Sequence, residues 1–185
     1  MKSLAKCVCT TAALLLVSTP AWAQYGFLRG SKWYVPTETL PAVNMPLNAN
    51  VVQPLSDQTV WEITGYSKGY FWGRSVAVFK RPSGNQLGNA ACSRMLGSVT
   101  PSGRVHITFV PQGDPNTGSA VTGIGTLARE APQRWIFEMQ MATGDVSVLA
   151  HWSYMYQCKS GDACETTLPG TSQSLADFLA QCDPD

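Results

Sequence analysis

Apolar and polar side chains alternate along most of this chain with a period of two, and almost nowhere with the period of a helix. The clearest stretch is Arg104 to Val110, where Val105, Ile107 and Phe109 alternate with Arg104, His106 and Thr108, the pattern of a sheet with one buried face. Thr59 to Tyr66 and Tyr70 to Lys80 are rich in aromatic and β-branched residues, and Ser67-Lys68-Gly69 between them predicts a hairpin loop with glycine last. Arg94 to Thr100 and Arg104 to Val110 flank Thr100-Pro101-Ser102-Gly103, with proline at the second turn position and glycine at the fourth. Ala120 to Leu127 is a shorter strand in which Gly123 and Gly125 mark close packing or a bulge. Trp135, Phe137, Met139 and Met141 share one face of the next. Thr143-Gly144-Asp145 then turns the chain into Val146 to Gln157, where Val146, Val148, Ala150, Trp152, Tyr154 and Tyr156 alternate with Ser147, Leu149, His151 and Ser153.

Two regions depart from this pattern. Residues 1–23 combine Lys2 and Lys6, an apolar run from Thr11 to Val17, and Pro20-Ala21-Trp22-Ala23, which ends in a small-x-small cleavage pattern before Gln24. That is the plan of a secretory signal peptide, with an apolar core too short to span a bilayer. Gln24 to Pro54 contains four of the twelve prolines and little periodicity, and reads as an extended arm laid on the domain surface, with Trp33-Tyr34-Val35 as a short strand. The barrel domain then runs from residue 55 to residue 185. One helix is expected near 171–181, where Leu175, Phe178 and Leu179 fall at i, i+3 and i+4 and Ser172 or Ser174 is available as N-cap.

Seven antiparallel strands in sequence order, joined by short turns and followed by a helix, predict a mainly β chain closed as a single barrel, with a sandwich as the alternative. Cleavage after Ala23 leaves 11 basic and 12 acidic side chains, which gives no electrostatic case for nucleic acid or anionic lipid. No later segment is long and apolar enough to cross a membrane as a helix. An exported protein, periplasmic or extracellular, meets oxidising conditions, so Cys92, Cys158, Cys164 and Cys182 are expected as disulfides. Of the three pairings, Cys158–Cys164 with Cys92–Cys182 is preferred, because Lys159 to Ala163 is a turn-rich loop. A zinc site is the alternative, but the spacings are irregular and there is no C-x-x-C.

Gly30-Ser31-Lys32-Trp33-Tyr34, followed by a β meander and a late helix, resembles the lipocalin plan, a barrel with a ligand cavity. The family's opening motif has one residue between glycine and tryptophan, where this chain has two. Its later Thr-Asp-Tyr turn and its arginine near the C-terminal helix are absent here. The resemblance implies architecture, and with it an interior that holds a small molecule.

Aromatic residues are the main candidates for such a function. Trp61, Trp72, Trp135 and Trp152 are expected as cavity walls for a small apolar or aromatic ligand, although large rings also fill β cores. His106 and His151 are the only histidines, and each lies in the phase opposite to the heavy series of its strand. With Glu138 or Glu62 as carboxylate partner they are weak candidates for acid–base work, against the simpler reading of solvated sheet positions. Gly123-Ile124-Gly125 lacks the setting of a nucleotide loop, Asp114 and Asn116 alone make no calcium site, and Met139 and Met141 read as core filler. No metal or cofactor is indicated. The leading function is an exported barrel that binds a small apolar or aromatic molecule without catalysis. The alternatives are an interaction or structural protein of the cell envelope with a filled barrel, and a small barrel enzyme using a His/Glu pair.

Overall fold

The computed structural model describes residues 21–37, 40–46, 51–112, 120–144 and 147–183. Most of the leader, residues 1–20, lies outside the described residues, as do Asp114 and Asn116. The chain forms nine strand segments: β1 (Ser31–Tyr34), β2 (Leu40–Pro46), β3 (Gln53–Ser67), β4 (Tyr70–Lys80), β5 (Ala91–Val99), β6 (Arg104–Pro111), β7 (Val121–Ala131), β8 (Arg134–Gly144) and β9 (Ser147–Cys158). Each of β3 to β9 pairs antiparallel with the next in sequence. β1 and β2 pair with β3 on one side and β9 on the other. The two short segments are therefore halves of one stave, and the sheet closes as an eight-strand antiparallel barrel.

That closure corrects the expected surface arm. Residues 24–54 have no clean period because their strand is broken in the middle and carries prolines, yet they supply the stave that abolishes the sheet edges. Gln58 repairs the break from the neighbouring strand. Its Oε1 accepts from Val35 N–H at 3.3 Å and Thr59 N–H at 3.0 Å, while its Nε2 donates to Val35 O at 3.4 Å and Pro169 O at 2.7 Å. A side-chain amide thus stands in for a backbone partner the ladder lacks.

The lower and middle barrel is packed with rings. Trp33 meets Phe137 at 4.5 Å between centroids, Trp61 meets Phe137 and Phe109 at 5.4 Å, and Phe71 meets Phe137 at 5.9 Å. Gly97 and Gly123 make room for this filling: a Cβ at Gly97 would lie 2.3 Å from the Phe71 ring, and one at Gly123 would lie 2.2 Å from Met141 Sδ. A 3-10 turn, Ala21–Leu28, closes the lower end with Tyr25 and Leu28 buried. Ser31 ties it to β1, donating to Leu28 O at 2.6 Å and accepting from Trp33 Nε1 at 2.8 Å.

A second apolar cluster lies outside the barrel. Val60, Val76 and Val78 on the outer face of β3 and β4 are covered by Leu168, Leu175, Phe178 and Leu179. This is why β3 is buried on both faces from Asp57 to Trp61. The helix α1 (Leu175–Ala180) is one and a half turns long and starts at Ser174, whose hydroxyl accepts from Asp177 N–H at 3.0 Å. Disulfides join Cys92 to Cys182, across 90 residues, and Cys158 to Cys164, across 6.

Candidate functional site

The alternation in β9 sets the site, and it runs opposite to residue bulk. Light positions His151, Ser153 and Met155 point into the barrel, while Trp152, Tyr154 and Tyr156 are on the outer wall. The interior is already filled from other strands by Trp33, Trp61, Phe71 and Phe137, so β9 contributes small and polar groups there. Near the upper end this leaves a cavity of about 440 Å³, with Trp61 and Phe109 among its walls, together with Phe79, Met141 and Leu149. His151, Thr59 and the hydroxyls of Ser75, Ser93 and Ser153 also line it. Its volume falls in the usual range for small-molecule sites, roughly 300–1,000 Å³.

One polar constellation stands out within this apolar space. Asp57, only 1% exposed, reaches from β3 past the small Ala42 of β2 to His151 on β9, with Oδ2 to Nδ1 at 3.1 Å. Thr59 Oγ1 donates to the other carboxylate oxygen at 2.7 Å. The His151 side chain is 8% exposed, and its ring stands edge-on to Phe79 at 6.0 Å. Nδ1 also lies 3.2 Å from Trp152 O. Both neighbours of Nδ1 are acceptors, so Nδ1 carries a hydrogen, which leaves Nε2 as the ring nitrogen free of the Asp57 contact. Nε2 has no hydrogen bond among the described residues. Ser153, two positions along the same face, is 3% exposed and its hydroxyl has no hydrogen-bond partner.

The residues singled out from sequence are dispersed. Trp61 alone among the four tryptophans borders the cavity. Trp135 is at the opposite end, stacked on Phe27 at 4.8 Å with the Arg129 guanidinium 5.1 Å from its ring centre. Trp72 and Trp152 face outward, 45% and 49% exposed. His106 and Glu138 are exposed on the outer wall, on β6 and β8, where they line one open depression with Trp152, away from the interior cavity and His151. Glu62 is held by Arg74 Nε at 2.7 Å. The partner of His151 is Asp57, which sequence reading passed over. Its phase, shared with the buried Thr59, Trp61 and Ile63, was the available clue.

Two other features complete the surface. The outer wall of β2, β9, β8 and β7 carries a larger but open depression of about 700 Å³ around Val43, Ile124 and Trp152. His151 borders this depression as well as the interior cavity, but only the interior cavity adds the hydroxyls of Thr59, Ser75, Ser93 and Ser153 to it, which makes that cavity the better candidate site. Elsewhere, Glu130 accepts from Tyr154 Oη at 2.6 Å, Tyr156 Oη at 3.1 Å and Arg134 at 3.1 Å. The bond to Tyr154 holds the Glu130 carboxyl below its ordinary range, and the same bond pushes the Tyr154 phenol well above its own.

No cluster able to hold a metal ion occurs among the described residues. No helix among them is long and apolar enough to cross a membrane. Comparison with family models, with curated proteins and with solved structures yields no match, so the likeness to lipocalins rests on layout and on Gly30 to Tyr34 alone.

Proposed function

We propose that this chain is an exported protein whose barrel binds a small, largely apolar molecule without catalysing its conversion. The observation that carries the reading is the interior cavity, lined largely by aromatic and apolar walls and left unfilled in a barrel otherwise packed to its lower end. Export is supported by the leader and by two disulfides, which persist in oxidising compartments. Gln24, the residue after the expected cut, donates to Pro101 O at 2.6 Å, so the first residue of the proposed mature chain is tied to the barrel. Native mass spectrometry of the full chain, purified after secretion from its own host, tests both parts. A mature mass starting at Gln24 with a bound small molecule is expected. A protein retaining residues 1–23, or one that carries nothing and takes up no apolar probe, overturns the reading.

Trp152 on β9 and Ile124 on β7, 49% and 61% exposed on the outer wall with β8 between them, favour a second reading in which that wall meets an envelope partner. Trp152→Ser separates the two: it weakens partner binding in the second reading and leaves cavity binding unchanged in the first.

A further inference from the structure

Resting on the reading of the barrel as a binding protein, the geometry points to the class of ligand: we propose that the cavity selects a neutral hydroxyl on an apolar body, an aromatic alcohol or phenol, and rejects a carboxylate. Two polar groups in the cavity are unused by the protein. His151 Nε2 has no hydrogen-bond partner among the described residues, because Asp57 and the Trp152 carbonyl both engage Nδ1. Ser153 Oγ is buried at 3% exposure and has no partner. A ligand hydroxyl satisfies both: its O–H donates to Nε2 and its oxygen accepts from Ser153. Leaving buried polar groups unpaired is costly, so a ligand that supplies their partners gains over an apolar one of the same shape.

Charge decides against the acid. Asp57 already places one carboxylate in this apolar end, and no lysine or arginine is among the described residues that line the cavity. His151 is the single group there able to carry positive charge, and its Nδ1 is committed to Asp57. A ligand carboxylate would therefore be a second buried anion without a cation of its own. The walls set the remainder of the molecule. Trp61, Phe79 and Phe109 offer ring faces and edges suited to an aromatic or flat apolar body.

Three probes of one size test this by titration calorimetry on the full secreted chain: 2-naphthol, naphthalene and 2-naphthoate. The expected order is naphthol tightest, by roughly tenfold over naphthalene for the two hydrogen bonds, with naphthoate weaker than naphthol. Ser153→Ala removes a hydroxyl that bonds nothing in the free protein, so the fold is retained, and the naphthol-to-naphthalene ratio falls. His151→Gln, which keeps a donor toward Asp57 and loses the imidazole acceptor, lowers the ratio further. Naphthoate binding more tightly than naphthol, or a ratio unmoved by both substitutions, overturns the assignment while the cavity reading survives. Failure of all three probes to bind overturns both.

Discussion

Individual side chains in this barrel are decided by phase rather than by size. Trp152 looks like a core residue and stands in solvent, whereas Asp57, in the part of β3 covered on both faces, is among the most buried groups. Alternation was legible at both positions; which phase faces in was not, because it depends on how much volume the other staves have already filled. On the outer wall, β9 also joins β7 in a cluster whose chemistry is testable. Glu130, held below its ordinary range by the phenol of Tyr154, contributes stability above its unfolded-state value and loses it as pH falls through the lowered one. Tyr154, pushed upward by the same bond, contributes stability below the ordinary tyrosine range and loses it as pH rises through its own value. Ultraviolet titration of phenolate is expected to show one tyrosine ionising far later than free tyrosine, and Glu130→Gln brings it forward. A Tyr154 that titrates in the ordinary range in the wild type would show the bond absent in solution.

At the level of elements, turns were read well and interrupted strands were not. The Pro101–Gly103 turn is as expected, with Gly103 N–H donating to Thr100 O at 2.9 Å and Gly103 at φ 81°. The first hairpin is tighter than its three-residue reading: Ser67 pairs with Tyr70, leaving Lys68 and Gly69 as a two-residue turn with both φ positive. Positive φ at both centres marks the mirror-image turn that suits the twist of two strands. Lysine is a poor choice there. Lys68→Asn is expected to stabilise the protein by about 0.5–1 kcal/mol, read from the denaturation midpoint at constant slope, since asparagine tolerates the left-handed region. Unchanged stability would mean that the turn relaxes at little cost. The broken stave offered no comparable clue. Its repair depends on Gln58, distant in sequence, and nothing local in Val35 to Thr37 announces that a side chain will complete the ladder.

For the molecule as a whole, the closed barrel and its terminal helix followed from strand count and short connections, but the division of labour between the two faces of β3 and β4 did not. The inner face belongs to the barrel, and the outer one to a C-terminal segment whose helix is too short to be stable by itself. That segment is fastened by the Leu168, Leu175, Phe178 and Leu179 contacts, by polar ties from Gln58 to Pro169, Lys80 to Gly170 and Arg74 to Asp183, and by the Cys92–Cys182 disulfide. By loop-closure entropy a link across 90 residues restrains the unfolded chain far more than one across 6, about 4–5 kcal/mol against about 2 kcal/mol. Replacing Cys92 and Cys182 together by serine is therefore expected to lower stability by at least twice as much as replacing Cys158 and Cys164. It also has a local consequence that entropy alone does not give. Without the pin at its end, α1 can lift from Val60, Val76 and Val78, so amide hydrogens of residues 175–182 should exchange well before those of β3 to β9. If those amides exchange together with the barrel in the doubly substituted chain, the apolar contacts hold the helix unaided and the disulfide acts through the unfolded state alone.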